Sequence, residues 1–363
     1  MIEFDDNILK KLVKLGLDRI LQDNLDEDML QEYQLARVIS VSRDRFTVKD
    51  HKYEMPAEIT GKLMFNAGSS LDYPAVGDWV YVQIFDDGGL AIINDIVRRK
   101  TVLKRKAAGK SSDFQVIGAN IDTAFLMQSL DANYNLRRLE RFLVMCYDSD
   151  IKPVVLLSKS DLLSDIEIEQ RISEIKKTNT ELDVLAFSNL STSGIGDVRD
   201  QLLPGNTYCL LGSSGVGKTT LLNTLIGDEV FRTEEVREKD SRGRHTTTRR
   251  EIIFLDNGAI LIDTPGMREL GNISVEEGIE KTFDEIAELS SACRFQDCTH
   301  TGEKGCAVLN ALGTGDLDQK RYDNYIKLMK ESKYNEMTYL EKRQRDKSFG
   351  KMVKSVMKFK KKN

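Results

Sequence analysis

The chain has 363 residues, of which 40% are hydrophobic and 31% charged, a composition typical of a globular protein with two or three domains. No apolar run approaches the roughly 20 residues of a membrane span, and the acidic N-terminal residues do not resemble a signal peptide, so we expect a cytoplasmic protein without membrane contact. The net charge of −5 argues against a nucleic-acid binder only as an average, since bases concentrate at 98–110 and 342–363. Such basic runs either contact phosphate backbone or form solvated surface.

The N-terminal part of the chain predicts an acidic helical extension followed by a small β-barrel. Residues 1–34 are acidic and helical in pattern, and 35–110 contain short β-type runs separated by Gly, Asp and Asn turns. Five short strands over about seventy residues fit a small barrel. The runs are ARVISVS, RFTVKD, KYEMPAEIT, GDWVYVQIF and LAIINDIV.

The middle of the chain, residues 111–272, alternates apolar strands with helical stretches. This alternation predicts an α/β domain with a largely parallel sheet and helices on both faces. The predicted strands are TAFLMQSL, PVVLLSKSD, DVLAFSN, TYCLLGSSG, REIIFLD and AILIDTPG.

A phosphate-binding loop is predicted where an apolar strand meets a helix, in the sequence GSSGVGKT. Glycines there let backbone N–H groups surround phosphate oxygens at a helix N-terminus. Lys218 would reach the β- and γ-phosphates, and Thr219 would ligate Mg²⁺. The alternative is an ordinary glycine-rich turn. The candidate GTP-binding residues are Gly212, Ser213, Ser214, Gly215, Val216, Gly217, Lys218, Thr219 and Thr220.

Two segments earlier in the chain are candidates for reading a guanine base. In SKSD, Asp161 can accept hydrogen bonds from guanine N1 and N2, and the stem of Lys159 can lie over the purine ring. Ser158 stands where Asn is usual, so a side-chain bridge to the phosphate loop is expected to be shorter or lost. The second segment, FSNLSTSGI, departs from the usual Ser-Ala pair. The candidate base-binding residues are Ser158, Lys159, Ser160, Asp161, Ser188 and Asn189.

Two downstream segments are expected to respond to the γ-phosphate. LIDTPG ends an apolar strand at Asp263, which can hold the Mg²⁺ shell through water, and Gly266 can offer its N–H to the γ-phosphate. A threonine of the polar loop SRGRHTTTRRE would complete that shell. The spacing does not decide between Thr246, Thr247 and Thr248, and we favour Thr247 or Thr248.

The residue that orients the attacking water is a separate question. Met267 follows Gly266, where many GTPases have glutamine, and a thioether cannot orient water. His245 is the nearest polar candidate by sequence. Its alternative is an ordinary exposed loop histidine.

A cysteine-rich segment near the C-terminus predicts a structural zinc site. Its spacing is C-x4-C-x-H-x5-C, through Cys293, Cys298, His300 and Cys306. Three thiolates and one imidazole suit tetrahedral Zn²⁺ and leave no open position for catalysis. The alternative is redox-active or free cysteines.

The order of these motifs is unusual, because the base motif precedes the phosphate loop. A parallel sheet does not depend on where its chain begins, provided that the strands become neighbours. Joining the usual termini and cutting after the D-x-x-G strand yields the order seen here. The order therefore predicts a circularly permuted GTPase.

Taken together, SKSD, GSSGVGKT, GRHTTT, DTPG, the Cys3His cluster and PAVGDWV resemble the ribosome small-subunit-dependent GTPase A family (RsgA, also called YjeQ). The resemblance covers residues 35–357. It implies a multidomain protein with an RNA-binding OB-fold barrel at 35–110, a circularly permuted P-loop GTPase domain at 111–272 and a mainly helical zinc-binding domain with a basic tail at 273–363. It also implies a GTPase that acts, with Mg²⁺ and one structural Zn²⁺ per chain, on the small ribosomal subunit and its rRNA late in assembly, its hydrolysis stimulated by the subunit.

Departures from the family pattern keep alternatives open. The acidic extension, Ser158 and Asn189 leave room for a divergent paralogue, and an RNA-binding assembly chaperone with vestigial hydrolysis is the rival class. Intact Lys218, Thr219 and Asp263 argue against the chaperone, and Asp161 argues against a P-loop kinase or ATPase. A monomer is expected.

Overall fold

The computed structural model describes residues 4–42, 45–106, 114–227, 250–263, 276–336 and 341. The chain divides into two compact units, Met1–Lys104 with Gln115–Leu270 and Arg105–Phe114 with Gly271–Asn363. The predicted domain boundaries, after residues 34, 110 and 272, stay predictions. Among the described residues, no helix combines the length and apolarity needed to span a bilayer.

The N-terminal extension forms short helices whose acidic residues begin them. Asp5, Asp18 and Asp26 each accept hydrogen bonds from backbone N–H groups of the first turn, which satisfies donors that a helix leaves unpaired. These three carboxylates therefore stabilise the helices that they precede. The helices are α1 Asp6–Lys14, α2 Arg19–Asp23 and α3 Glu27–Glu32.

The extension packs on the barrel as part of its core. Leucines of α1 and α2 join the barrel's Trp79 and Tyr81 in one buried cluster. Trp79 and Leu17 are both fully buried. Burying several large apolar side chains fixes the extension to the barrel, a contact that the sequence did not predict.

The predicted barrel is confirmed, and all five of its strands lie at the predicted runs. The strand order is β1-β2-β3-β5-β4, and β4 pairs again with β1 to close the barrel. The β3–β5 pairing is parallel and the others are antiparallel, which is the arrangement of an OB fold. A short helix, α4 Gly61–Asn66, follows β3. The strands are β1 Gln34–Ser42, β2 Arg45–Lys49, β3 Glu54–Ile59, β4 Trp79–Phe85 and β5 Leu90–Ile96.

A two-stranded sheet that the sequence did not predict follows the barrel, formed by β6 Val102–Lys106 and β7 Phe114–Ala119. After it comes the α/β sheet, in the order β10-β9-β8-β11-β13-β12. Its pairings are parallel except that between β12 and β13, so the predicted parallel sheet is confirmed. The strands are β8 Thr123–Ser129, β9 Lys152–Ser158, β10 Asp183–Ala186, β11 Thr207–Gly212, β12 Arg250–Phe254 and β13 Ile260–Asp263.

Helices alternate with the strands of this sheet. Their apolar side chains and those of the strands form a buried core that includes Phe125, Tyr208 and Val216. Because the strands run in the same direction, their carboxyl ends lie at one edge, where nucleotides bind in α/β folds. The helices are α5 Leu136–Asp148, α6 Asp165–Lys176, α7 Ile195–Asp200 and α8 Lys218–Ile226.

The barrel and the α/β sheet are continuous through one edge. Ser40 and Val41 of β1 pair with Glu251 and Arg250 of β12. Within the same unit, the fully buried Arg37 of β1 donates to Thr207 Oγ1 at the start of β11. The barrel is therefore anchored to the strand that leads into the phosphate loop.

Part of the basic run at 98–110 is committed to ion pairs inside this unit. Arg99 forms an ion pair of 2.7 Å with the buried Asp78. Lys100 lies between Asp18 and Asp122, with Nζ 2.6 Å from the Asp122 carboxylate. These two bases hold structure together, and neither alternative given for the run, phosphate contact or solvated surface, describes them.

The described part of the second unit is mainly helical, as predicted. Arg321 of its longest helix pairs with Glu285 and donates to the Thr282 carbonyl at 2.8 Å. The helices are α9 Glu276–Thr282, α10 Asp284–Ser291, α11 Ala307–Thr314 and α12 Gln319–Glu336. The four candidate zinc ligands, Cys293, Cys298, His300 and Cys306, lie in the segment between α10 and α11.

Candidate nucleotide and metal sites

The predicted phosphate loop lies between β11 and α8. Gly215 and Gly217 have φ of 77° and 90°, a left-handed region that glycine adopts without strain. Gly212 is required for another reason, because a Cβ there would lie 2.7 Å from the Met127 carbonyl oxygen of β8. Thr219 and Thr220 lie in the first turn of α8. The loop therefore presents backbone N–H groups and hydroxyls at a helix N-terminus.

Lys218 extends back over the loop. Its Nζ donates to the carbonyls of Gly212 and Ser213, both at 2.7 Å. The ammonium group is therefore already held at the phosphate loop, which fits the predicted role of Lys218 in binding phosphate.

The first base segment is tied to the phosphate loop although they are far apart in sequence. The hydroxyl of Ser158, at the end of β9, donates to the Val216 carbonyl at 2.7 Å. Of the two alternatives expected for this bridge, shorter or lost, the structure shows the short one, because the fully buried Ser158 lies close enough for its hydroxyl to reach the loop. Lys159 follows with φ of 60°, and Ser160 N–H donates to the Phe187 carbonyl at 3.2 Å.

The two base segments are joined to each other by hydrogen bonds. Ser188 Oγ donates to the Asp161 carboxylate. It accepts in turn from the N–H groups of Leu190 and Ser191, at 3.0 Å and 3.2 Å. The carboxylate predicted to read guanine is thus oriented by the second segment.

Asp131 is a site residue that sequence reasoning missed. Its carboxylate pairs with Lys159 Nζ at 2.7 Å and accepts from Ser129 Oγ at 2.7 Å. Burial alone would raise the pKa of Asp131, but the hydrogen bonds from Lys159 and Ser129 lower it to about 2. The pair holds Lys159 at the position predicted for a purine.

Asn133, also missed, reaches the phosphate loop from the segment after β8. Its Nδ2 donates to Ser213 Oγ at 3.1 Å and Ser214 O at 3.3 Å. Arg138 fixes it by donating to Asn133 O and Oδ1, at 2.7 Å and 3.0 Å. The positions of Asp131 and Asn133 in the sequence could have identified both residues. They follow a parallel strand, and polar residues at the carboxyl ends of neighbouring parallel strands lie close together.

The γ-phosphate segments are described only in part. Asp263 is the last residue of β13, paired with Glu251 of β12, and β13 lies beside β11. That places Asp263 at the same edge of the sheet as the phosphate loop. His245, Thr247, Thr248 and Gly266 lie outside the described residues.

The four predicted metal ligands come together in the second unit. The ligand atoms of Cys293, Cys298, His300 and Cys306 all lie within 4.8 Å of one another. His300 Nδ1 is 3.4 Å from Cys306 Sγ, and Cys293 Sγ is 3.9 Å from Cys306 Sγ. Tetrahedral Zn²⁺ with ordinary bond lengths places N and S about 3.5 Å apart and two S atoms about 3.8 Å apart. The donor set and its spacing fit a zinc ion.

Neighbouring groups hold His300 in one tautomer. Ser290 Oγ donates its hydrogen to the Ile286 carbonyl at 2.7 Å and lies 3.1 Å from His300 Nε2. With that hydrogen on the Ile286 carbonyl, the hydroxyl oxygen can accept only from a protonated Nε2, an arrangement that leaves the Nδ1 lone pair facing the thiols. Burial also lowers the pKa of His300, which favours the neutral ligand.

Comparisons with known proteins agree with this geometry. The model of the RsgA GTPase family matches residues 96–273. Small ribosomal subunit biogenesis GTPase RsgA 2 of Lactiplantibacillus plantarum is 40% identical, covering 89% of this chain and 90% of its own. The crystal structure of YjeQ from Thermotoga maritima matches with a TM-score of 0.61 at 24% identity, over 82% of this chain and 98% of that one.

A second solved structure, of YloQ, is titled a circularly permuted GTPase. It is 27% identical, covers 85% of this chain and 98% of its own, and has a TM-score of 0.59. The reversed order of base motif and phosphate loop thus has a counterpart of known fold. On its identity to curated relatives over nearly its whole length, the chain belongs to the RsgA family of circularly permuted GTPases.

Proposed function

We propose that this protein binds GTP with Mg²⁺, docks on the small ribosomal subunit late in its maturation, and hydrolyses GTP at a rate that the subunit stimulates. The curated relative of Lactiplantibacillus plantarum carries the name of a small ribosomal subunit biogenesis GTPase. The proposal places the protein in the cytoplasm, as a monomer, with rRNA as its main contact.

The observation that carries the nucleotide part is the bond between Ser158 and Val216. It joins the guanine-reading segment to the phosphate loop across 58 positions, in the reversed chain order. A nucleotide spans a base site and a phosphate site, so the two must be held at fixed separation. The hydrogen bond supports a single nucleotide site made from both segments.

Within that site, each described residue has a proposed part. Asp161, oriented by Ser188, reads the N1 and N2 groups of guanine, and Lys159 covers the ring. Lys218 would leave the loop carbonyls for the β- and γ-phosphates, and Thr219 and Asp263 are the described residues that would hold Mg²⁺. Bound Mg²⁺ supplies positive charge to the phosphate oxygens.

Rapid hydrolysis is proposed to need the ribosomal subunit. Met267 cannot orient a water molecule, and His245 is the proposed replacement. Thr247 or Thr248 would ligate Mg²⁺ when the γ-phosphate is bound. Slow hydrolysis by the protein alone follows if the subunit is what positions these residues.

The Cys3His cluster is proposed to hold one structural Zn²⁺. Four protein ligands close the coordination sphere, so no exchangeable water remains for catalysis. Bound zinc would supply folding energy to the segment between α10 and α11. The OB-fold barrel at 35–110 and the basic tail at 342–363 are the proposed rRNA contacts.

GTP hydrolysis by the purified protein tests the proposal, alone and with purified small ribosomal subunits, with ATP as nucleotide control. We expect slow turnover alone and strong, GTP-specific stimulation by small subunits. Large subunits serve as the matched particle control. Lys218→Ala should remove hydrolysis in both conditions, which excludes a contaminating GTPase.

Three results would contradict parts of the proposal. Rapid unstimulated turnover would refute the subunit dependence, and equal use of ATP would refute the role of Asp161. Tight subunit binding without any hydrolysis would favour the RNA-binding chaperone with a vestigial site.

A further inference from the structure

We propose that Asn189 is a positioning residue that takes over a task usually assigned to the first residue of the base motif, so that Ser158 and Asn189 are a compensating pair. The inference rests on the proposed nucleotide function and deepens it. It states which side chains lock the base segments to the phosphate loop in this particular chain.

The first observation is that adjacent carbonyls of the phosphate loop are held by different base segments. Ser158, after β9, donates to Val216 O at 2.7 Å. Asn189, after β10, donates through Nδ2 to Gly217 O at 3.3 Å. Both residues depart from the commonest pattern, in which the first position is Asn and the second is Ala. The amide missing at 158 is therefore present at 189, against the same loop.

The second observation is how closely Asn189 fits the loop. A Cβ added to Gly217 would lie 2.8 Å from Asn189 Nδ2, so the amide occupies the space beside the N-cap residue of α8. Gly217 O also accepts the first bond of that helix, from Leu221 N at 2.9 Å. Asn189 thus acts on the turn that presents N–H groups to phosphate.

The third observation concerns the cost of keeping an amide here. Asn189 Oδ1 is buried and has no donor among the described residues. An unpartnered buried acceptor is unfavourable, and alanine would avoid it. The hydrogen bond from Nδ2 to the Gly217 carbonyl therefore explains why an amide is present here, even though its oxygen has no hydrogen-bond partner among the described residues.

The consequence is a coupling between base and phosphate recognition. Ser188, next to Asn189, orients Asp161, so the same segment contacts both the base-reading carboxylate and the phosphate loop. Ser158 alone keeps one carbonyl in place and cannot reach both with a single hydroxyl hydrogen. Loss of Asn189 should loosen the loop relative to Asp161 while leaving each part folded.

The test measures GDP affinity of the full-length protein with a fluorescent GDP analogue. We expect Asn189→Ala and Asn189→Leu each to raise the Kd roughly five- to tenfold, the effect of one hydrogen bond. Leucine matches asparagine in size, so it separates hydrogen bonding from packing. Adding Ser158→Asn to Asn189→Ala should restore the Kd to within about twofold of wild type, as expected for coupled neighbours.

Further readouts distinguish positioning from a structural role. The Tm without nucleotide should stay unchanged in the single variants, and KM should rise with little change in kcat. Asn179→Ala is the matched control. The Asn179 amide also makes one hydrogen bond, to Tyr147 Oη at 2.8 Å, but this bond does not involve the phosphate loop.

Several outcomes would overturn the inference. Wild-type affinity in both single variants would do so, as would retained affinity in Asn189→Leu alone, which would assign the effect to packing. If the double variant does not fold, the Ala and Leu comparison still decides. A wild-type protein that binds no GDP would instead refute the proposed function.

Discussion

Arg37 of the barrel donates to Thr207 Oγ1 at 2.9 Å, which joins the barrel to the strand that ends in the phosphate loop. Its guanidinium also donates to the carbonyls of Leu15 and Gly77. Burial lowers the pKa of Arg37 to about 10, against the opposing effect of the nearby carboxylates Asp122, Asp78 and Asp18. One side chain therefore connects the N-terminal extension, the barrel and the α/β sheet.

Replacing this arginine should destabilise the unit as a whole. We expect Arg37→Met to lower the free energy of unfolding by about 2–4 kcal/mol, because three acceptors lose their donor while relief from burying a cation offsets part of the loss. Urea unfolding measures it. Thr207→Val removes one partner only and should cost about 1 kcal/mol. The exposed Arg19 provides the control, and an Arg37→Met effect no larger than that of Arg19→Met would contradict the connecting role.

The sequence predicted strands better than it predicted what joins them. Runs such as GDWVYVQIF and PVVLLS are short, apolar and bounded by turn residues, which is a local signal. The β1–β12 pairing and the Arg37–Thr207 bond join residues more than a hundred positions apart, and nothing local marks them. The packing of the α1 and α2 leucines on the barrel could not be predicted either, because helical periodicity identifies an apolar face but not the surface that it covers.

The candidate site shows the same division. A phosphate loop is recognisable because glycine, lysine and threonine are each required at a fixed position. Asp131 and Asn133 act through their places at a strand end, and many polar residues follow strands without such a role. Ser158 shows a third case, since the residue type left a shorter bridge and a lost one both open, and only its buried position shows that the hydroxyl reaches Val216.

The Asp131–Lys159 pair should matter for nucleotide affinity. We expect Asp131→Asn to raise the Kd for GDP several-fold, because Lys159 loses the carboxylate that holds it where the base is proposed to bind. An acid whose pKa is lowered by folding keeps its stabilising pair above its ordinary pKa and loses it as the pH falls through the lowered value of about 2. The ratio of variant to wild-type Kd should therefore be constant from about pH 5.5 to 8.5.

Ser129→Ala is the matched control for that prediction. It removes the 2.7 Å hydrogen bond to the same carboxylate but leaves the ion pair, so a smaller effect is expected. A Kd ratio that changes across neutral pH would point to a different titrating group and contradict the assignment.

The Cys3His cluster should carry one zinc ion per chain. We expect Cys298→Ser to lose the metal, measured by elemental analysis, and to make the second unit more sensitive to proteolysis, because part of its folding energy comes from the ion. Cys146→Ala, at a buried thiol outside the cluster, should retain the metal. A metal-free wild-type protein in which the thiols of Cys293, Cys298 and Cys306 react with a thiol reagent would leave the free-cysteine alternative.

Ser290 should tune that site without being a ligand. It fixes His300 with Nε2 protonated and Nδ1 toward the thiols, through the 3.1 Å contact and its own bond to the Ile286 carbonyl. Removing such a support typically weakens metal affinity 10- to 100-fold, so Ser290→Ala should release zinc to a competing chelator at lower chelator concentration yet still bind one ion at saturation. Ser291→Ala is the matched control, because its exposed hydroxyl donates to the Glu288 carbonyl and not to a ligand of the cluster. Equal chelator midpoints for Ser290→Ala and Ser291→Ala would show that the histidine needs no such support, and complete loss of zinc would show that Ser290 holds the fold of the site itself.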